Sequence, residues 1–239
     1  MKTKRIIALI DLTRLVEEDN ETAVINFCQM ASELEMPVAC VCIYPQYVAA
    51  VRAAFPKLTI ATVANFPGGD SALDEVASSI QSSIAAGANE IDVVMPYTQL
   101  IEGNIAYVAQ FLKRCREETA DKALLKVIIE SGALDDKQII KATAICANAN
   151  VDFIKTSTGK IATGVSPKVV DTILKVFAKL DNPPGIKISG GVHTPEQAMA
   201  YIDIIAVYRD EAWITPQHVR IGASRLLDAL NSSVAPKPS

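Results

Sequence analysis

The chain has 239 residues, with 23 Lys and Arg against 27 Asp and Glu (formal charge −4), half of them apolar and 21 % charged. That composition excludes charge-driven disorder and a fibrous or low-complexity chain, and the mild acidity argues against a nucleic-acid binder, which needs a basic face. The apolar stretches, such as residues 6–10, are strand-sized and far short of the roughly 20 residues of a membrane span.

The opening MKTKRIIALID has too short an apolar run for a secretory leader, so an intracellular, cytoplasmic protein is expected. Its first strand is expected at residues 5–10, followed by a helix at 21–34. Strands at 38–44 and 58–63 come next, then a helix at 71–86. The fourth strand, 90–95, leads to a helix at 104–119, and the fifth, 124–130, to one at 136–147. The sixth strand, 151–155, precedes a helix at 167–180, and the seventh, 185–189, one at 195–205. An eighth strand at 218–221 and a short helix at 224–231 complete the pattern. Ser166 before Pro167, and Thr194 before Pro195 with Gln197 three residues on, read as helix caps.

Strand–helix alternation without a hairpin signal means parallel strands joined by crossovers. Eight such units in a chain of this length predict a single-domain (β/α)8 TIM barrel over residues 1–231, with a flexible tail at 232–239. An open doubly wound sheet would be favoured by a GxGxxG motif after an early strand, and the sequence has none. The five cysteines form no CxxC pair and only two histidines accompany them, so no metal site is expected. Four of the cysteines read as buried small hydrophobes.

Barrel strands are covered on both faces and should be continuously apolar. Four consecutive strands break that rule, carrying Asp92, Lys126, Lys155 and Lys187 between neighbours that are apolar or, after Lys155, a threonine. Alternation then turns each charge into the barrel. A buried ion pair would explain one Asp and one Lys, but three lysines facing one aspartate do not balance. An amine crowded by another ammonium is a candidate nucleophile for carbonyl carbon, so the pattern admits both a Schiff-base site and a structural cluster. Catalytic groups sit at the C-terminal ends of barrel strands. Lys155 closes its strand and is assigned to imine formation; Lys187, two residues before Ser189-Gly190-Gly191, is assigned to tuning its protonation. Asp92 is assigned as proton carrier, and Lys126 lies deeper, with Glu130 nearer the rim. Asp11, expected to end the first strand, and Arg220 are read as an ion pair closing the first strand on the last.

Along essentially its whole length the chain resembles the deoxyribose-phosphate aldolases, a class I aldolase family. The matching stretches are Ile10-Asp11-Leu12-Thr13, Val41-Cys42-Ile43-Tyr44-Pro45, residues 61–69 (ATVANFPGG), residues 89–96 (NEIDVVMP), residues 125–130 (LKVIIE), residues 153–160 (FIKTSTGK), residues 186–192 (IKISGGV) and residues 220–224 (RIGAS). The resemblance implies reversible cleavage of 2-deoxy-D-ribose 5-phosphate to D-glyceraldehyde 3-phosphate and acetaldehyde, without metal or other cofactor, in cytoplasmic deoxyribonucleotide breakdown. It implies that Lys155 forms an imine with C1, that Asp92, through a water, takes the C3 hydroxyl proton, and that Lys187 supports both. Lys126, Asp11, Thr13 and Cys42 fall on supporting positions. Gly159, Lys160, Gly190, Gly191, Gly222 and Ser224 fall on the phosphate positions, in loops where barrels of this kind hold phosphate on backbone N–H groups.

The departures lie in that phosphate region. His193 stands where the family commonly has a fixed positive charge, Arg225 where some members have a small residue, and the chain ends Pro238-Ser239 without the tyrosine some members carry. Arg225 is expected to face solvent. Cys42, besides packing, is a candidate for attack by reactive aldehydes. The expected partner is a small sugar phosphate, with neither nucleic acid nor membrane, and a homodimer is compatible with the family. Two other readings stay open: a different Schiff-base aldolase on the same barrel, and a non-catalytic barrel.

Overall fold

The computed structural model describes residues 2–227, 229 and 230; the expected domain end at 231 and the tail at 232–239 lie outside the described residues. Eight strands close into an all-parallel barrel in chain order: β1 (Ile10–Arg14), β2 (Cys40–Ile43), β3 (Ile60–Ala64), β4 (Glu90–Val94), β5 (Leu124–Ile128), β6 (Phe153–Lys155), β7 (Gly185–Ser189) and β8 (Val219–Ala223). The helices are α1 (Lys2–Ala8), α2 (Glu21–Ser32), α3 (Val48–Ala54), α4 (Leu73–Ala85), α5 (Tyr97–Ile101), α6 (Ile105–Thr119), α7 (Asp136–Asn148), α8 (Pro167–Phe177) and α9 (Pro195–Tyr208). Residues 226, 227, 229 and 230 are helical as well, within the expected last helix. No helix among the described residues is long and apolar enough to cross a membrane.

The wall follows from side-chain parity. Outward positions such as Leu12, Val41, Ile91, Val127, Ile154, Ile186 and Ile221 join the helices in one apolar shell. Two helix starts are fixed by reciprocal caps: Thr194 with Gln197 as expected, and Asp135 with Gln138. The Ser166 hydroxyl accepts from Val169 N ahead of Pro167.

The first expected strand needs correction. Residues 2–8 are helical and the strand begins at Ile10, so Asp11 stands near its start rather than at its end. The apolar run 6–10 is split between the two elements, with Ile6, Leu9 and Ile10 all buried. Arg5 ties α1 to the segment before β8, its guanidinium donating to the side chain and the carbonyl of Glu211 at 3.2 Å each. A short apolar run does not distinguish strand from helix by periodicity. The short helices α3 and α5 were also not expected; neither has a side-chain cap to announce it.

Candidate active site

Seven inward positions of the wall are charged, and they meet at the centre of the barrel. Asp92, fully buried in β4, accepts at Oδ2 from Lys155 Nζ (2.8 Å) and Lys187 Nζ (2.7 Å), and at Oδ1 from Lys126 Nζ (2.9 Å). Strand register produces this arrangement: Asp92 stands opposite Lys126, and Lys155 opposite Lys187 on adjacent strands. The two ammonium groups assigned from the sequence to nucleophile and tuner share a single carboxylate oxygen.

Below them lies a second tier. Lys187 also reaches Asp11 Oδ2 (2.6 Å), Arg220 Nη1 donates to Asp11 Oδ1 (2.7 Å), and Arg220 Nη2 donates to Glu90 Oε1 (2.9 Å). Lys126 donates to Glu90 Oε2 as well. The expected Asp11–Arg220 pair is present, but as part of this network rather than as an isolated clasp. The sequence reading of three lysines against one aspartate is corrected: four cations face Asp11, Glu90 and Asp92. Glu90 was missed as a member. Its signal was its parity with Asp92 two residues on, which puts both on the inner face.

Burial by itself would push the Asp92 carboxyl up, but Lys126, Lys155 and Lys187 together hold it well below the ordinary carboxylate value. Asp11 is held low in the same way, chiefly by Lys187 and Lys126 against burial. Lys126 and Lys187 show the converse: burial disfavours their charge, yet the surrounding carboxylates raise both above an ordinary lysine. Lys187 is therefore a permanent cation beside Lys155. Gly222 makes room for it, because a Cβ there would lie 3.3 Å from Lys187 Cε and 3.0 Å from Ser189 Cβ.

Above the network opens a cavity of about 510 Å³. Of the three interior lysines only Lys155 lines it; its side chain keeps 3 % exposure, against none for Lys126 and Lys187. Thr13, Gly159, Lys160, Gly190, Gly191, Gly222 and Ser224 all line the same cavity, whereas Asp92, Lys187, Lys126 and Asp11 lie beneath it. Gly190 and Gly191 turn the chain at φ 88° and 101°, which side-chain-bearing residues rarely adopt. The cavity's cations differ in availability: Arg14 is held by Asp19 (2.7 and 2.6 Å), while Lys160 Nζ donates, among the described residues, to the Leu15 carbonyl (2.9 Å). His193 is exposed on the cavity wall, and Arg225 is exposed outside it.

Cys42 is fully buried on the inner wall of β2, and burial pushes its thiol up, which favours the packed, neutral form over a reactive thiolate. The other four cysteines are buried too. Asp11, Cys40 and Glu90 bring ligand-type atoms within 4.8 Å of one another. The two carboxylates of that group already serve Lys126, Lys187 and Arg220, so the set reads as the acidic half of the ion network.

The profile of a family described as DeoC/LacD family aldolase matches residues 5–227. A candidate deoxyribose-phosphate aldolase from Coccidioides immitis superposes with a TM-score of 0.86 at 27 % identity, over 98 % of this chain and 87 % of that one. An aldolase named QR15 gives 0.82 at 27 % identity over 96 % of each chain. The tetrameric deoxyribose phosphate aldolase of Aeropyrum pernix shares the fold, with a TM-score of 0.80 at 24 % identity over 97 % of this chain and 92 % of that one.

Proposed function

The chain belongs to the DeoC/LacD family of aldolases, and we propose that it cleaves 2-deoxy-D-ribose 5-phosphate reversibly to D-glyceraldehyde 3-phosphate and acetaldehyde through an imine on Lys155. The observation that carries this reading is the placement of Lys155. It is the interior lysine that reaches the cavity, and it rests on a carboxylate oxygen shared with a permanently charged lysine.

A nucleophilic amine is a neutral one. When Lys155 gives up a proton, Lys126, Lys187 and Arg220 face Asp11, Glu90 and Asp92, three cations against three carboxylates. Nζ attacks the C1 aldehyde of the open-chain sugar, and loss of water from the carbinolamine gives the protonated imine. Asp92, kept as a carboxylate, takes the C3 hydroxyl proton through a water as the C2–C3 bond breaks. The bonding pair moves into the imine to form an enamine, and glyceraldehyde 3-phosphate leaves. Protonation at C2 and hydrolysis then release acetaldehyde and the free amine.

The phosphate is assigned to the Gly190–Gly191 and Gly222–Ser224 turns with Gly159 and Lys160, which share the cavity with Lys155. Borohydride reduction in the presence of the sugar phosphate tests the reading. The expected result is a stable adduct mapped to Lys155, absent in Lys155→Leu, with turnover down by about 10³-fold or more. Labelling of another lysine overturns the assignment, and cleavage products without acetaldehyde overturn the substrate.

A further inference from the structure

Glu130 is a buried carboxylate that the proposed reaction does not use. It follows β5 on the same parity as Lys126 and Ile128, its side chain has no solvent exposure, and its backbone takes the left-handed conformation (φ 50°, ψ 58°) that a glutamate rarely adopts. No cation pairs with it among the described residues. Among the described residues its carboxylate accepts from one residue: the Thr158 hydroxyl donates to Oε2, and the Thr158 backbone N–H lies 3.3 Å from each oxygen. Thr158 Oγ1 in turn accepts from Lys160 N at 3.0 Å.

Residues 158–160 line the cavity, so a carboxylate in the wall sets the shape of the loop that faces the ligand. A buried, strained carboxylate costs stability, and here its bonds are spent on holding that loop. Burial raises the Glu130 carboxyl, and the bonds from Thr158, with a smaller pull from the Lys155 charge, counter part of that rise. We propose that Glu130 is a positioning residue that acts through Thr158 to hold Gly159 and Lys160 in the geometry that grips the substrate phosphate. This rests on the sugar-phosphate reading above. A carboxylate suits the task because it only accepts, matching the donors Thr158 presents, whereas an amide would turn an N–H₂ towards one of them.

The test compares Glu130→Gln and Thr158→Val with the parent, using binding of inorganic phosphate and kinetics on 2-deoxyribose 5-phosphate and unphosphorylated 2-deoxyribose. For Glu130→Gln, the Kd for phosphate and the KM for the phosphorylated sugar are each expected to rise about tenfold, the size of one charge-assisted hydrogen bond. KM for unphosphorylated 2-deoxyribose stays within about twofold, and kcat within about threefold, as expected for lost ground-state binding alone. Thr158→Val weakens phosphate in the same direction, and the double variant is no weaker than the worse single one because both remove one linkage. An unchanged phosphate Kd in both variants overturns the proposal, as does a fall in kcat with phosphate binding intact. If Glu130→Gln does not fold, the phosphate Kd of Thr158→Val decides alone. A parent that binds phosphate without cleaving deoxyribose phosphate overturns the substrate reading and leaves the anchor to be judged by the phosphate constants.

Discussion

The two parts of the barrel's inner wall are unlike. On β2 and β3 the inward side chains are Cys40, Cys42, Ala61 and Val63, a small apolar cluster backed by Leu15, Tyr44 and Phe66. Round the rest of the wall they include Glu90, Asp92, Lys126, Lys155, Lys187, Arg220 and Asp11. The same buried position therefore has opposite chemistry a few strands away. Each charge survives because strand register supplies a counter-charge, while the apolar sector excludes water from one flank and so strengthens the pairing on the other. The thiols of that sector feel the same dryness: burial pushes both Cys40 and Cys42 up.

Breaking the charged sector should cost most. Lys187→Leu leaves Asp11 and Asp92 each short of a partner, so a loss of about 3–5 kcal/mol is expected in chemical denaturation, with turnover reduced about 10²-fold. A variant as stable as the parent would show that Lys126 and Arg220 suffice. Two ion pairs to a fully buried ammonium are what make the loss measurable.

Asp92→Asn sharpens the comparison through pH. Because Asp92 and Asp11 are held below the ordinary carboxylate value of 3.8, the unfolded chain binds more protons there than the folded one. Their contribution is complete above about pH 4 and is lost as pH falls further, so stability rises with pH in that range. Removing Asp92 should flatten that slope by roughly 1.4 kcal/mol per pH unit, the equivalent of one proton. An unchanged slope in unfolding curves between about pH 2 and 4 would refute the role given to its lysine partners.

The apolar sector should respond least. Cys42→Ala removes one buried sulfur and no charge, so about 1 kcal/mol is expected. With all five cysteines buried, a thiol reagent should react fast only on unfolding. Rapid modification of Cys42 in the folded protein, or protection of Cys42→Ala from inactivation in concentrated acetaldehyde, would favour the aldehyde-sensitive reading instead.

Parity explains how much of this was legible beforehand. Lys126, Lys155, Lys187 and Asp92 announced themselves because a charge flanked by apolar residues violates the rule for a strand covered on both faces. Glu90 carried the same period-two signal from the first residue of its strand, where a charge is unremarkable, and so passed unnoticed, whereas Glu130 was placed only as nearer the rim and lies two residues beyond the end of β5. The boundary of β1 was illegible for another reason: Ile6, Ile7, Leu9 and Ile10 satisfy helix and strand alike, and the contact of Arg5 with Glu211 comes from more than 200 residues away.

Local sequence determined the eight strands, their parallel order and therefore the closed barrel, since crossover connections and apolar periodicity act over short stretches of chain. It also determined which side chains turn inward. Only the tertiary structure decided which of those meet, because inter-strand stagger and closure of β1 on β8 are properties of the whole barrel. That stagger places Lys155 and Lys187 on one oxygen of Asp92, sets Arg220 between Asp11 and Glu90, and leaves Lys155 at the cavity floor.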